Sequence, residues 1–260
     1  MAILERAAAG RPVSRLAAPA DPDARLWYRL RTGQQAAFPV WQRPAAALQH
    51  VVTDPTPETA ARAIQLLDAY SVLFMYIGSC TAERYEATIR TELRAVSPSF
   101  SAEWCADYPE VSAALHRLHR IGRTTAVNDV LRAYQINQQV HFAVAQRLVP
   151  DGVSLLQQAG RLPGRGASPA EQALCDRFFW VDRVAVCHRT WLAQTVRRLT
   201  QIVCDLACYG LRPPDVPPLH PRRHLAEITR IERDAIPIIR DLARTLDTPA
   251  GVLSGSRSRS

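Results

Sequence analysis

Apolar residues recur at helical spacing over most of the chain. Between Thr56 and Gly78 they repeat every three or four positions, which is the period of an amphipathic helix. Pro57 stands where a first helical residue is expected, and proline is favoured there. The apolar positions that show this pattern best are Ala60, Ile64, Leu67, Tyr70, Leu73 and Phe74. The same kind of pattern predicts further helices over residues 82–96, 109–122, 125–148, 170–209 and 222–246.

The pattern contains no strand signal, because no segment alternates apolar and polar residues between turn residues. A hydrophobic fraction of 47% in 260 residues is sufficient for one sizeable core. We therefore expect an all-α fold, a helical bundle. Prolines punctuate the start of the chain, so residues 1–55 are predicted to form a partly irregular N-terminal arm in which only Ala24–Arg31 is a short helix. Residues 56–247 would form the helical domain, and residues 248–260 a disordered tail.

The positive charge of the chain comes from arginine alone. The sequence has 32 basic residues, all of them arginine, and a net charge of +8. They are spread over all segments rather than clustered in one stripe, which disfavours nucleic acid as a partner. An all-α DNA-binding regulator is kept as an alternative function, and it would bind DNA in a salt-dependent way.

No apolar run near Met1 is long enough for a secretory signal, and the most apolar stretch, Ser71–Ile77, is too short to span a bilayer. We therefore expect a soluble, cytoplasmic protein that contacts no membrane. The six cysteines form no CxxC pair, so neither a zinc ribbon nor a thioredoxin-like motif is indicated. Whether the chain forms a homodimer is left open by the sequence.

Helical bundles build their sites from side chains on facing helices. The di-iron carboxylate pattern requires Glu-x-x-His pairs, and none occurs in this sequence. The His-Glu-x-x-His pattern of zinc hydrolases is absent as well. Seven histidines remain as candidate ligands. A haem iron needs only one protein imidazole.

His224 has the most suitable setting of the seven. It lies near the start of the last predicted helix, where the positive end of the helix dipole favours a neutral imidazole that can bind a metal. Glu227 is a plausible acceptor for its second ring nitrogen. Arg222 and Arg223 flank it and could pair with carboxylates of a cofactor. His220, four residues earlier, would make a metal pair with His224, but it precedes Pro221 and is expected to lie outside the helix.

The segment HRLHR, residues 116–120, is the second unusual feature. A helical wheel places His119 at the edge of the apolar stripe and His116 further round, so the wheel favours His119 as a histidine that faces a pocket. A solvated basic face is an equally good interpretation. The stripe itself consists of Val111, Ala114, Leu115 and Leu118.

The segment HPRRHLAEITRIERD, residues 220–234, resembles the axial-histidine segment of the tryptophan dioxygenase superfamily of haem proteins. Within that superfamily the chain is most similar to the small bacterial haem-dependent tyrosine hydroxylases of antibiotic pathways. Three further stretches and their order carry this resemblance, which covers roughly residues 70–247. They are SPSFSAEWCADYPEV, HFAVAQRLVPDGVSLLQQAG and FFWVDRVAVCHRTWLAQTVRRL.

The resemblance implies a tryptophan dioxygenase-like bundle with His224 as the proximal iron ligand and Arg222 and Arg223 beside the haem. It also implies a distal catalytic histidine. His116 is the first candidate for this role and His119 the second, against the helical wheel, because a distal residue can project from a helix face that lines a cavity rather than from the apolar stripe. A related branch attaches haem through a cysteine four residues after a histidine. Four residues after His224 this chain has Ile228, and four residues after His220 it has His224. Neither position is a cysteine, so a non-covalent haem b is expected.

The implied reaction is the hydroxylation of L-tyrosine at ring position 3 to L-3,4-dihydroxyphenylalanine, with hydrogen peroxide as oxidant. The distal histidine would move a proton between the peroxide oxygens, which suits a group that titrates near neutrality. Oxidation of tryptophan or an indole by a sister enzyme is the closest alternative. The residues that could bind the substrate are Arg117, Arg120, Arg132, Tyr134 and Asn137.

Overall fold

The computed structural model describes residues 1–161 and 166–247, and this part of the chain is helical without strands. The predicted all-α fold is therefore confirmed. The helices are α1 Ala2–Ala8, α2 Pro22–Thr53, α3 Pro57–Ile77, α4 Ala82–Tyr85, α5 Thr91–Val96, α6 Tyr108–Arg120, α7 Thr125–Leu148, α8 Leu155–Gln158, α9 Pro169–Phe178, α10 His188–Tyr209, α11 Leu225–Arg233 and α12 Ala235–Asp247. A π-helical turn, Glu86–Arg90, joins α4 to α5, so that the predicted helix over 82–96 is nearly continuous.

Local capping explains why several boundaries were predictable. The side chain of Thr56 accepts a hydrogen bond from the amide of Thr59 at 3.3 Å at the start of α3. Ser168 accepts one from the amide of Glu171, again at 3.3 Å, at the start of α9. Such side chains satisfy amide donors that the first helical turn leaves unpaired. Gly210, which the sequence indicates as the stop of α10, ends it with a φ of 70°.

The prediction of an irregular N-terminal arm is wrong for residues 22–53. These residues form α2, a single helix of 32 residues that contains Pro39 and Pro44. A proline inside a helix costs about 3 kcal/mol because it removes a hydrogen bond and crowds the preceding turn. Burial offsets this cost, since α2 packs along α3, α6 and α10. Val40 and Leu48 are completely buried in those contacts.

The predicted continuous helix over 170–209 is also wrong. Helix α9 ends at Phe178, and Trp180 has a left-handed backbone with a φ of 55°. Residues 181–187 then run without regular structure to the start of α10. Valine at positions 181, 184 and 186 favours this break, because β-branched residues lose side-chain freedom in a helix.

The last predicted helix is divided. It begins at Leu225 rather than at Arg222 and breaks at Asp234, so that α11 and α12 are separate helices. Pro237 lies in the first turn of α12. A proline is tolerated there, where its missing amide has no helical acceptor, but it would disrupt a helix that ran through from α11. The tail, residues 248–260, lies outside the described residues.

Helix α3 lies at the centre of the bundle, with α2, α7, α11 and α12 packed against it. Leu66, Val72, Leu73 and Tyr76 of this helix are almost completely buried. By length and composition α3 could cross a membrane, but more than half of its most apolar window is buried inside the protein. A second, smaller apolar cluster lies beneath the loop around Phe100.

A buried ion pair joins two residues that are far apart in the sequence. Nε of Arg29 donates to Oδ2 of Asp205 at 2.7 Å, and both side chains are inaccessible to solvent. The guanidinium also donates to Oγ of Ser79 at 2.9 Å and to the carbonyl oxygen of Gly210 at 2.8 Å. The other carboxylate oxygen of Asp205 accepts from the amide of Ala18 at 2.9 Å. This network holds α2, α10 and the segment after α3 in one arrangement.

The replacement of Gly33 by alanine is expected to destabilise the protein. A Cβ at this position of α2 would lie 2.5 Å from Cγ1 of Ile77, the last residue of α3. Overpacking costs about 1–3 kcal/mol, which exceeds the gain in helix propensity of about 0.5–1 kcal/mol. We expect a lower urea midpoint for Gly33→Ala. Gly122→Ala is the control, since nothing lies within 4 Å of its Cβ, and an equal loss there would contradict this explanation.

Candidate functional site

His224 occupies a conformation that few residues adopt. It is the residue just before α11, and its φ of 62° and ψ of 30° place it in the left-handed region. A non-glycine residue there costs on the order of 1–3 kcal/mol, and such residues are concentrated at functional sites. The side chain is 22% exposed. The imidazole is therefore held at the surface of the bundle by a strained turn rather than within the first helical turn.

Two charged residues, Glu227 and Arg132, lie on the Nδ1 side of the His224 imidazole. Its Nδ1 lies 3.5 Å from Oε1 of Glu227. The same oxygen accepts a hydrogen bond of 2.5 Å from Nη2 of Arg132 on α7. The Arg132 guanidinium lowers the pKa of the Glu227 carboxyl, which favours its ionised form. An ionised carboxylate at Nδ1 favours the tautomer whose Nε2 carries a lone pair for a metal.

An open cavity adjoins the segment that carries His224. It has a volume of about 540 Å³, and we refer to it as the His220 cavity. His220 and Arg222 line one side of it, whereas α7 supplies the exposed ring of Phe142. A neighbouring cavity of about 290 Å³ shares His220 and is bounded by Pro217 and Pro218. His224 lines neither of these two cavities. Arg223 is exposed beside them.

The HRLHR segment forms the end of α6. Its apolar stripe is buried as predicted, whereas His116 and His119 are both exposed. Nδ1 of His116 lies 2.7 Å from the carbonyl oxygen of Ser112. A carbonyl can only accept, so Nδ1 of His116 carries the proton and Nε2 is the basic nitrogen. Helices α6 and α11 both contact α7, but α6 packs mainly on α2, whereas α11 packs mainly on α3.

The candidate substrate-binding residues are dispersed. Arg117 and Arg120 are exposed at the end of α6. Tyr134 is half-buried, and its hydroxyl accepts from Nε2 of Gln138 at 3.0 Å. Asn137 is buried between α7 and α3, where its amide donates to Oγ of Ser71 at 2.9 Å. Of these candidate substrate-binding residues, Arg132 is the one whose side chain is linked to His224, through Glu227.

Sequence reasoning missed the largest of the three cavities described here. A space of about 730 Å³ opens between α2, α10 and residues 180–187, and we call it the Trp180 cavity. The sequence placed these residues inside a continuous helix, although the three valines after Trp180 were a signal against it. Its lining includes Phe38, Trp180, Arg183, Val186, Trp191 and Arg198.

The residue types around His224 are those that could hold a haem, although His224 itself lines neither of the two cavities. The described residues contain no group of three or more His, Cys, Asp or Glu side chains that could hold a bare metal ion, but a haem iron requires only one imidazole. His224 offers that imidazole with an acceptor at its other nitrogen. Arg222 and Arg223 are exposed cations of the kind that bind propionates. Phe142 and the prolines of the adjoining cavity offer apolar surface.

No protein-family model matches the chain, and no curated protein matches it significantly either.

Proposed function

We propose that this protein is a haem-dependent oxidoreductase in which His224 ligates the iron. The observation that carries the proposal is the chain from the His224 imidazole through Glu227 to Arg132. Metal-ligating histidines usually donate their second nitrogen to a carboxylate or a carbonyl, which fixes the ring and raises its basicity. Here the arrangement is found on a left-handed turn, a backbone conformation that is concentrated at functional sites.

The haem would be of the b type, bound without a covalent bond. Covalent attachment would need a cysteine four residues after His224. That position is Ile228, which is buried. Arg222 and Arg223 would hold the propionates. Bound haem supplies the oxidising chemistry, whereas the protein supplies the ligand, the orientation of the substrate and proton transfer.

The substrate we propose is L-tyrosine, hydroxylated at ring position 3 with hydrogen peroxide by a soluble cytoplasmic enzyme of a bacterial natural-product pathway. His116 would move the proton, because its Nδ1 is held by Ser112 and its Nε2 is therefore the basic nitrogen. The exposed guanidiniums of Arg120 and Arg117 lie on the same helix end and could hold the substrate carboxylate.

Glu227→Gln is expected to weaken haem binding about 10–100-fold, because the neutral amide no longer fixes the His224 ring or raises its basicity. The measurement is a haem titration of the variant, together with the iron–histidine stretching frequency in its resonance Raman spectrum. Glu232→Gln is the matched control, since Glu232 lies on the same helix and pairs with Arg212 at 3.1 Å instead. Equal haem affinity in the two variants would argue against the role of Glu227.

His116→Ala is expected to retain haem and to lose hydroxylation by about 10²–10⁴-fold, which is the usual contribution of a general acid–base. The assay follows the formation of L-3,4-dihydroxyphenylalanine from L-tyrosine and peroxide by chromatography, with L-tryptophan supplied in parallel. His119→Ala is the comparison and should keep most of the activity. Normal turnover in His116→Ala would show that the proton is moved by His119 or by a residue outside α6. A product formed from tryptophan but not from tyrosine would show that the proposed substrate is wrong.

A further inference from the structure

The Trp180 cavity has the size and the aromatic lining of a small-molecule site. Its volume of about 730 Å³ falls within the range of about 300–1,000 Å³ typical of ligand pockets. The buried ring of Phe38 and the half-buried ring of Trp191 line it. Trp180 is 68% exposed at its edge, and Val184 is 62% exposed beside it. A ligand in the cavity would remove this apolar surface from water.

Each indole of the cavity has an arginine over one of its faces. The guanidinium carbon of Arg31 lies 3.7 Å from the centroid of the Trp180 ring, and that of Arg43 lies 4.3 Å from the centroid of the Trp191 ring. Each cation holds one indole in place through a cation–π contact. These contacts add positive charge around the cavity.

The charge of the cavity is unbalanced on the side of α10. Arg197 and Arg198 are adjacent there, and in the part of the chain described neither forms an ion pair with a carboxylate. Nη1 of Arg198 donates only to the amide oxygen of Gln201, at 2.9 Å. Burial and the neighbouring Arg197 charge lower the pKa of Arg198. An anion bound at these two guanidiniums would offset the repulsion between their charges.

The other charged residues of the lining are Asp182 and Arg183. Arg183 is neutralised by Asp107 and Asp176, at 3.0 and 2.6 Å. Asp182 is the one carboxylate of the lining, and it makes no ion pair with a described arginine within 4 Å. The positive charge that is free to meet a ligand therefore lies at Arg197 and Arg198, whereas Arg183 and its two carboxylates together carry a negative charge.

The wall of the cavity is held in place without a ligand. Nε2 of Gln35 on α2 donates to the carbonyl oxygen of Phe179 at 2.8 Å, just before the left-handed Trp180. The two ion pairs of Arg183 fix the irregular segment that follows Trp180. A site that is formed in advance loses little entropy when a ligand binds.

We propose that the Trp180 cavity binds an aromatic carboxylate, with its ring against the indoles of Trp180 and Trp191 and its carboxylate on Arg197 and Arg198. Guanidiniums bind carboxylates through paired, charge-assisted hydrogen bonds. No histidine lines this cavity, so the site is separate from the iron site proposed at His224 and does not depend on it.

Isothermal titration calorimetry with 2-naphthoate tests this site on the full chain without added haem. One equivalent of 2-naphthoate should bind, and the uncharged 2-naphthamide should bind at least about tenfold more weakly, because it lacks the carboxylate. This comparison uses only the wild-type protein, so it does not depend on the folding of a variant. The absence of binding, or equal affinity for the two probes, would overturn the proposal.

A double variant, Arg197→Gln with Arg198→Gln, locates the binding. We expect it to weaken 2-naphthoate at least about tenfold, whereas Arg189→Gln, an exposed arginine on the same helix outside the lining, should have no effect. An equal loss of 2-naphthoate affinity in both variants would show that the ligand is attracted by the overall positive charge of the protein, and it would overturn the proposed site. His224→Ala should bind 2-naphthoate like the wild type, so a failure of the haem proposal leaves this result unaffected.

Discussion

His224→Ala is expected to lose tight haem binding, with an affinity more than about 100-fold below that of the wild type. Even the loss of a partner of a metal ligand costs about 10–100-fold, and this substitution removes the ligand itself. Added imidazole should restore haem binding in part, because it can fill the space left by the side chain. The measurement is a haem titration with and without imidazole, followed by absorption.

His220→Ala is the matched control for this prediction. His220 lines the cavity next to the proposed haem position but has no carboxylate partner comparable to Glu227 within the described residues. We expect His220→Ala to retain haem with little change in its spectrum. If His220→Ala loses haem while His224→Ala retains it, the assignment of the ligand is wrong, and the iron belongs to the His220 cavity.

Asp205→Ala is expected to lower the free energy of unfolding by about 3–5 kcal/mol, the usual effect of removing one partner from a buried ion pair. The Arg29 guanidinium would remain buried, with its exposure of 1%, and without its counterion. The amide of Ala18 would lose its acceptor as well. Urea denaturation followed by circular dichroism measures the change.

Asp215→Ala provides the corresponding surface control. Asp215 is 52% exposed and lies 3.8 Å from Arg84, and exposed ion pairs contribute about 0–1 kcal/mol. Equal losses in Asp205→Ala and Asp215→Ala would contradict the importance assigned to the buried pair. The double replacement of Arg29 and Asp205 by methionine and leucine should recover part of the stability, because no unpaired charge is left in the core.

The parts of the fold that the sequence predicted are those governed by local interactions. Helix α7 was predicted with both ends correct, since Thr124 caps its start and apolar residues recur along its length. Helix α2 was missed because the local cost of Pro39 and Pro44 is visible in the sequence, whereas the burial that offsets it depends on residues far along the chain. The break after Phe178 does have a local signal, three valines that disfavour a helix. The helical spacing of the apolar residues around them hides this signal.

The contacts of the candidate site divide in the same way, into local contacts that the sequence predicts and long-range contacts that it does not. The approach of Glu227 to His224 could be predicted, because the two residues are three positions apart. The link from Glu227 to Arg132 spans 95 residues, and that from Arg29 to Asp205 spans 176. Neither contact leaves a periodic signal in one sequence, and arginine is too abundant in this chain for the sequence to show which arginines are buried. The Trp180 cavity likewise depends on how α2 meets α10.

The absorption spectrum of the full chain, purified with haem supplied during expression, tests the central claim most directly. A histidine-ligated haem b should give a Soret band that stays with the protein through gel filtration, at one haem per chain, and that is extracted by acidic organic solvent because the haem is not covalently attached. A folded, helical protein that remains colourless and does not change the spectrum of added haem would contradict the account.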